Sequence, residues 1–107
     1  MRDVDLSRAN LSGIDLLRSH LKDVKFRNTN FRGANLRFLN LYKSDLRGAD
    51  LRSADLNCTS LRYANLIGAD LRGIDLYVVA LDGVKWSKST RWPAGFDYKN
   101  HKAISKS

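Results

Sequence analysis

The stretch Ala49-Asp50-Leu51-Arg52-Ser53-Ala54-Asp55-Leu56-Asn57-Cys58-Thr59-Ser60-Leu61-Arg62-Tyr63-Ala64-Asn65-Leu66 repeats its pattern every five residues and belongs to a longer series. A large apolar residue stands at Leu6, Leu11, Leu16, Leu21, Phe26 and Phe31, then at every fifth position from Leu36 to Leu81. Two places before each is a generally smaller residue, as at Val4, Ala9, Ile14, Ser44, Thr59 and Val79. On a helix turning about 100° per residue, a step of five rotates the side chain by roughly 140° and scatters the leucines around the axis. On one continuous strand, a step of five reverses the face each time and puts half of them in water. Both registers are satisfied only if a short extended segment points two residues inward and the chain then bends. The chain must turn every five residues.

A path that bends the same way at each step winds into a solenoid, whose stacked coils pair backbone groups about 4.8 Å apart. Ala9-Asn10-Leu11, Ala34-Asn35-Leu36, Ala49-Asp50-Leu51, Ala54-Asp55-Leu56, Ala64-Asn65-Leu66 and Ala69-Asp70-Leu71 resemble the A-(D/N)-L-x-x motif of the pentapeptide-repeat family. The likeness runs through sixteen consecutive repeats, residues 4–83. It implies an all-β fold, a right-handed quadrilateral β-helix with four pentapeptides per coil, and so about four coils. The chain accordingly divides into a solenoid over 1–83 and a C-terminal cap with a basic tail over 84–107.

The 107 residues suit one domain, 43% of them hydrophobic. No run approaches the roughly 18 apolar residues of a membrane span, and the polar start does not open a secretory signal. No membrane role and a cytoplasmic setting are expected. One Cys and two His supply neither a disulfide framework nor a zinc site, so no metal or cofactor is expected. The chain has no Glu, and its Asp residues recur just before the Leu of each repeat, which suits a corner role better than acid–base chemistry. His20 and His101 stand alone, and no base is placed beside Cys58. Gly13, Gly33, Gly48, Gly68, Gly73 and Gly83 close their repeats, where the chain turns, and do not form a phosphate loop. The expected protein is not an enzyme.

With four repeats to a coil, residues twenty apart stack. One outward column is Ser12, Arg32, Arg52 and Arg72, and an Asp two places before an Arg, as in Asp45/Arg47, shares its face and answers it. Residues 24–43 carry Lys25, Arg27, Arg32, Arg37 and Lys43 with no acid, a basic belt, and six more basic residues lie beyond residue 83 against Asp97 alone. A second patch is apolar: Leu17, Phe38, Tyr42, Cys58, Tyr63, Tyr77 and Val78. Either the tail folds over this corner, or the corner binds a partner.

Trp86, Trp92 and Phe96 are the expected cap, followed by a mobile basic end from Lys99. Thr90-Arg91-Trp92-Pro93-Ala94-Gly95-Phe96-Asp97 is similar to a segment that follows the repeats in some bacterial family members. No N-terminal cap is visible, so the first edge pairs with another subunit or the chain is part of something longer.

These features imply a non-enzymatic module that presents a rigid surface to a protein partner, with a homodimer through a solenoid edge or the tail as one form. The alternative is electrostatic binding of nucleic acid or another polyanion through the belt and tail. Some family members protect DNA gyrase by imitating duplex DNA. That requires an anionic surface, and a net charge of +8 opposes it.

Overall fold

A computed structural model describes residues 4–17, 19, 21, 23–101 and 104. Twenty residues carry the backbone once round, and each side pairs in parallel with the side below it. The first side stacks Asp5, Lys25, Asp45, Asn65 and Lys85; the second Asn10, Asn30, Asp50, Asp70 and Arg91. The third stacks Asp15, Asn35 and Asp55, and the fourth Asn40, Ser60 and Ala80. Pairing is one residue deep at every side, because a pentapeptide has few residues to extend before it turns. At Asp50 and Leu51 the ladder is regular: Asp50 N–H donates upward to Thr29 C=O and Leu51 N–H downward to Asp70 C=O, each at 2.9 Å.

Each corner follows from the same local chemistry. Ala54 N–H donates to Leu51 C=O at 3.0 Å, closing a turn around Arg52 and Ser53, and Ser53 takes φ +60°. A left-handed residue in the third place of the turn is the type II pattern. Asp50 Oδ1 accepts from Arg52 N–H at 3.2 Å, and Asn30 Oδ1 from Arg32 N–H at 3.0 Å. This side-chain turn explains why Asp or Asn precedes the leucines. At Gly83 glycine is needed twice over: φ is +70°, and a Cβ would stand 2.5 Å from the Tyr63 ring.

The inward columns are dry through the middle of the stack, where Leu46, Leu51, Leu61, Leu66 and Leu71 are fully buried. Inward hydroxyls mostly bond to carbonyls of the coil above, Thr29 to Leu6 and Thr59 to Leu36, while the buried Ser44 hydroxyl has no partner among the described residues. In the first turn Val4, Leu6, Leu11, Ile14 and Leu16 are only half-buried, since the described residues cover that layer on one side only.

The other end is closed, by more than the sequence suggests. The ladder runs past Gly83: Lys85 pairs with Asn65, and Arg91 with Asp70. Thr90 is buried and donates to Leu66 C=O at 2.7 Å. Ser87–Trp92 has no pentapeptide period, yet it supplies a corner and a further side. Trp92 then stacks on Tyr98 at 5.1 Å and on Phe96 at 5.7 Å, Trp86 meets Trp92 edge-on at 6.1 Å, and Phe96 and Ile104 are buried. Where a mobile basic end is expected to begin, Tyr98–Asn100 is a short 3-10 helix whose Tyr98 packs on Trp92. Most of the chain after His101 lies outside the described residues. The molecule measures 33 × 23 × 22 Å.

Candidate interaction surface

The sides of the solenoid differ more than its coils do. On the first two sides and their corners, charges are interlocked. Arg47 grips Asp45 with Nε at 2.9 Å and Nη2 at 2.8 Å; Arg52 holds Asp50 at the same two distances, and Arg72 holds Asp70 at 2.9 and 2.6 Å. The coil above reaches the same carboxylates. Arg27 Nε lies 2.6 Å from Asp45, Arg32 4.0 Å from Asp50 and Arg52 3.7 Å from Asp70. The hydrogen bonds from Arg52 and Arg72 hold the Asp50 and Asp70 carboxyls below the usual carboxylate value, and the same pairs push the two guanidiniums up.

Three arginines of the basic belt therefore face acids that follow eighteen residues later in the chain, two of them shared with Arg47 and Arg52. Arg37 reaches Asp55 at 3.7 Å and also donates to Asn35 Oδ1 at 3.1 Å. Lys25 lies close enough to Asp5 to help lower that carboxyl, whose largest influence is a hydrogen bond with Ser7. Lys43 lies over the Tyr42 ring at 5.4 Å. Counting charge coil by coil conceals these contacts, because the three arginines reach acids of the next coil, although Asp45 and Asp50 are shared with Arg47 and Arg52 and leave the belt its positive excess.

The apolar residues form two ridges. Phe38, Cys58 and Val78 stand in one column at the corner between the third and fourth sides, with Leu17 and Tyr77 beside them; all five are exposed. Tyr42 and Tyr63 meet edge-on at 5.5 Å at the opposite corner of the fourth side. Between the ridges, the fourth side presents Asn40, Ser60 and Ala80, without charge. His20 lies outside the described residues. Among the described residues the tail leaves this surface exposed: Tyr77 meets Phe96 at 5.2 Å and is 69% exposed.

One feature escaped the sequence reading. On the third side the ladder stops above Asp75: among the described residues, Leu56 N–H does not reach Asp75 C=O, and Asp75 N–H does not reach Ala54 C=O. Leu76–Val78 instead forms a 3-10 helix, capped by Asp75 accepting from Tyr77 N–H at 3.0 Å, and Cys58 N–H pairs with Val78 C=O at 3.1 Å. The cause is legible in retrospect. Val78 is the only β-branched residue in the second corner position of a repeat, and a β-branched side chain strongly disfavours the left-handed backbone that position requires. Beside the opened ladder lies a shallow cleft of about 270 Å³ lined by Ser53, Asp55, Asn57, Gly73, Asp75 and Val78.

A family model for pentapeptide repeats (8 copies) matches residues 1–37 and 38–76. The chain belongs to the pentapeptide-repeat family. It is similar to the pentapeptide repeat protein Rfr23 from the cyanobacterium Cyanothece 51142, at 36% identity and a TM-score of 0.80, over 82% of this chain and 60% of that one. A pentapeptide repeat protein from the thylakoid lumen of Arabidopsis thaliana matches at 34% identity and a TM-score of 0.59, over 78% of this chain and 61% of that one. This pentapeptide-repeat chain thus spans about three fifths of the length of both relatives. They share the quadrilateral β-helix that the resemblance implied. No curated protein matches. Among the described residues no helix is long and apolar enough to cross a membrane, and no group of His, Cys or Asp is placed to hold a metal ion.

Proposed function

We propose that this pentapeptide-repeat protein is a non-enzymatic interaction module. Four complete coils and a partial fifth, closed by the aromatic end, present the fourth side and its two ridges to a protein partner. The supporting observation is the uncharged fourth side flanked by exposed Phe38, Val78, Tyr77 and Tyr63 on a chain of net charge +8. Interface centres are depleted of charge and enriched in aromatic residues, and a backbone pinned by ladder hydrogen bonds loses little entropy on binding. The single exposed Cys58 thiol favours a cytoplasmic setting.

The alternative, a polyanion held by Lys25, Arg27, Arg32, Arg37 and Lys43 together with the basic tail, is opposed on the belt by the carboxylates that already face the three arginines. A pull-down with two variants separates the readings. Phe38→Asp with Tyr63→Asp suits the left-handed backbone at both positions and should lose the protein partner, while Arg27→Ser, Arg32→Ser and Arg37→Ser together should keep it. The reverse result, with capture falling steeply as salt rises, would transfer the function to the belt.

A further inference from the structure

We infer that the partner contributes an amphipathic helix with one basic flank, lying along the solenoid axis at the corner between the third and fourth sides. Its apolar stripe covers Phe38, Cys58 and Val78, and its cationic flank faces the Asp55–Asp75 cleft. This occupant rests on the interaction surface proposed above and narrows it to one edge.

The spacing of the ridge selects a helix. Phe38, Cys58 and Val78 are separated by one layer each, about 4.8 Å, so the two intervals span about 9.6 Å. A helix advances about 5.4 Å per turn, and its i, i+4 and i+7 side chains span roughly 10.5 Å, within the reach of side-chain adjustment. An extended strand places same-face residues about 6.7 Å apart and spans roughly 13 Å over two intervals, which loses register by most of a layer. The ridge is also small. Three layers of roughly 14 Å match a helix of about ten residues, whereas a standard dimer interface takes about 800 Å² from each copy.

The charge of the flank follows from the neighbouring side. The outward column of the third side is Asp15, Asn35, Asp55 and Asp75, with no Lys or Arg in it. Arg37 reaches Asp55, but Asp75 has no ion pair among the described residues. The broken ladder adds the carbonyl of Ala54, which no backbone N–H of the described residues satisfies, while the Asp75 carbonyl turns into the first bond of the 3-10 helix. The cleft therefore offers acceptors beside an apolar ridge, on a chain whose net charge repels cations elsewhere. A Lys or Arg placed there gains charge-assisted hydrogen bonds that a neutral side chain cannot make.

The test uses three stapled, fluorescein-labelled helical peptides of about 14 residues, each with Leu at i, i+4 and i+7 and with Lys, Gln or Glu along one flank. Fluorescence anisotropy with the full chain should show the Lys peptide binding at least about tenfold tighter than the Gln peptide, with the Glu peptide weakest. Asp55→Asn with Asp75→Asn should remove most of that preference. Asn keeps the turn-forming oxygen, as at Asn30 and Asn40, so only the charge is lost. Phe38→Ser should weaken the Lys and Gln peptides alike.

Equal affinity for the Lys and Gln peptides, or a Lys preference untouched by the two Asn substitutions, overturns the basic flank. If no peptide binds while Phe38→Asp with Tyr63→Asp still abolishes partner capture, the helix is wrong and the interaction surface stands. If that double variant keeps its partner, the surface itself falls.

Discussion

The corner at Arg52–Ser53 and the corner at Tyr77–Val78 occupy equivalent places in their repeats and behave differently. At the first, Ser53 adopts the left-handed backbone, the turn closes, and Leu51 stays paired to the coil below. At the second, Val78 forces a short helix and the ladder opens beside it. A stack whose sides are each one bridge deep has no neighbouring pair to absorb such a change, so one side-chain branch decides whether a side keeps its ladder. The same contrast divides the surface: interlocked charge around the first corner, apolar side chains and acceptors around the second.

The largest effect is expected in the closed region. Leu51→Ala, at a position with 0% exposure, should cost about 2–5 kcal/mol in urea unfolding. A loss no greater than that of Leu11→Ala in the half-buried first turn would mean that the inward column is not dry. Next comes hydrogen exchange. The Leu56 amide should exchange on the order of a hundredfold faster than the Leu51 amide, and equal protection would show the third side closed in solution.

A gentler probe converts one corner into the other. Val78→Gly restores access to the left-handed backbone and should slow exchange at Leu56. Its net stability should move by less than about 1 kcal/mol, because two regained hydrogen bonds offset the flexibility of glycine and the lost valine contacts. Unchanged exchange at Leu56 would separate the cleft from Val78.

The smallest effect is electrostatic. Asp50 and Asp70 have folded values lowered from 3.8, so their contribution is fully present above that value and is lost as pH falls below it. Asp50→Asn with Asp70→Asn should flatten the acid limb of the unfolding curve. An acid limb as steep as before would assign acid sensitivity to other carboxylates.

Much of this was readable along the chain. The five-residue period indicated the turns, the recurring Asp and Asn indicated the corners, and the twenty-residue columns brought Phe38, Cys58 and Val78 together. The pairs within a side, such as Asp45 with Arg47, were readable because they are two residues apart. The pairs from Arg27 to Asp45 and from Arg37 to Asp55 were not, since they depend on how far a guanidinium reaches down to the next coil. The cleft was missed although its signal, a valine in a glycine-like place, was present in the sequence.

By itself, then, the order of residues determined the backbone path, because a fifth-position leucine can be kept from water only by a chain that turns at each repeat. Tertiary structure alone decided which charges meet between coils, what the tail covers and where the ladder opens. Those outcomes depend on contacts between coils and on an extra residue near Ser87–Ser89, which carries Arg91 into place beneath Asp70 although a count by fives loses it.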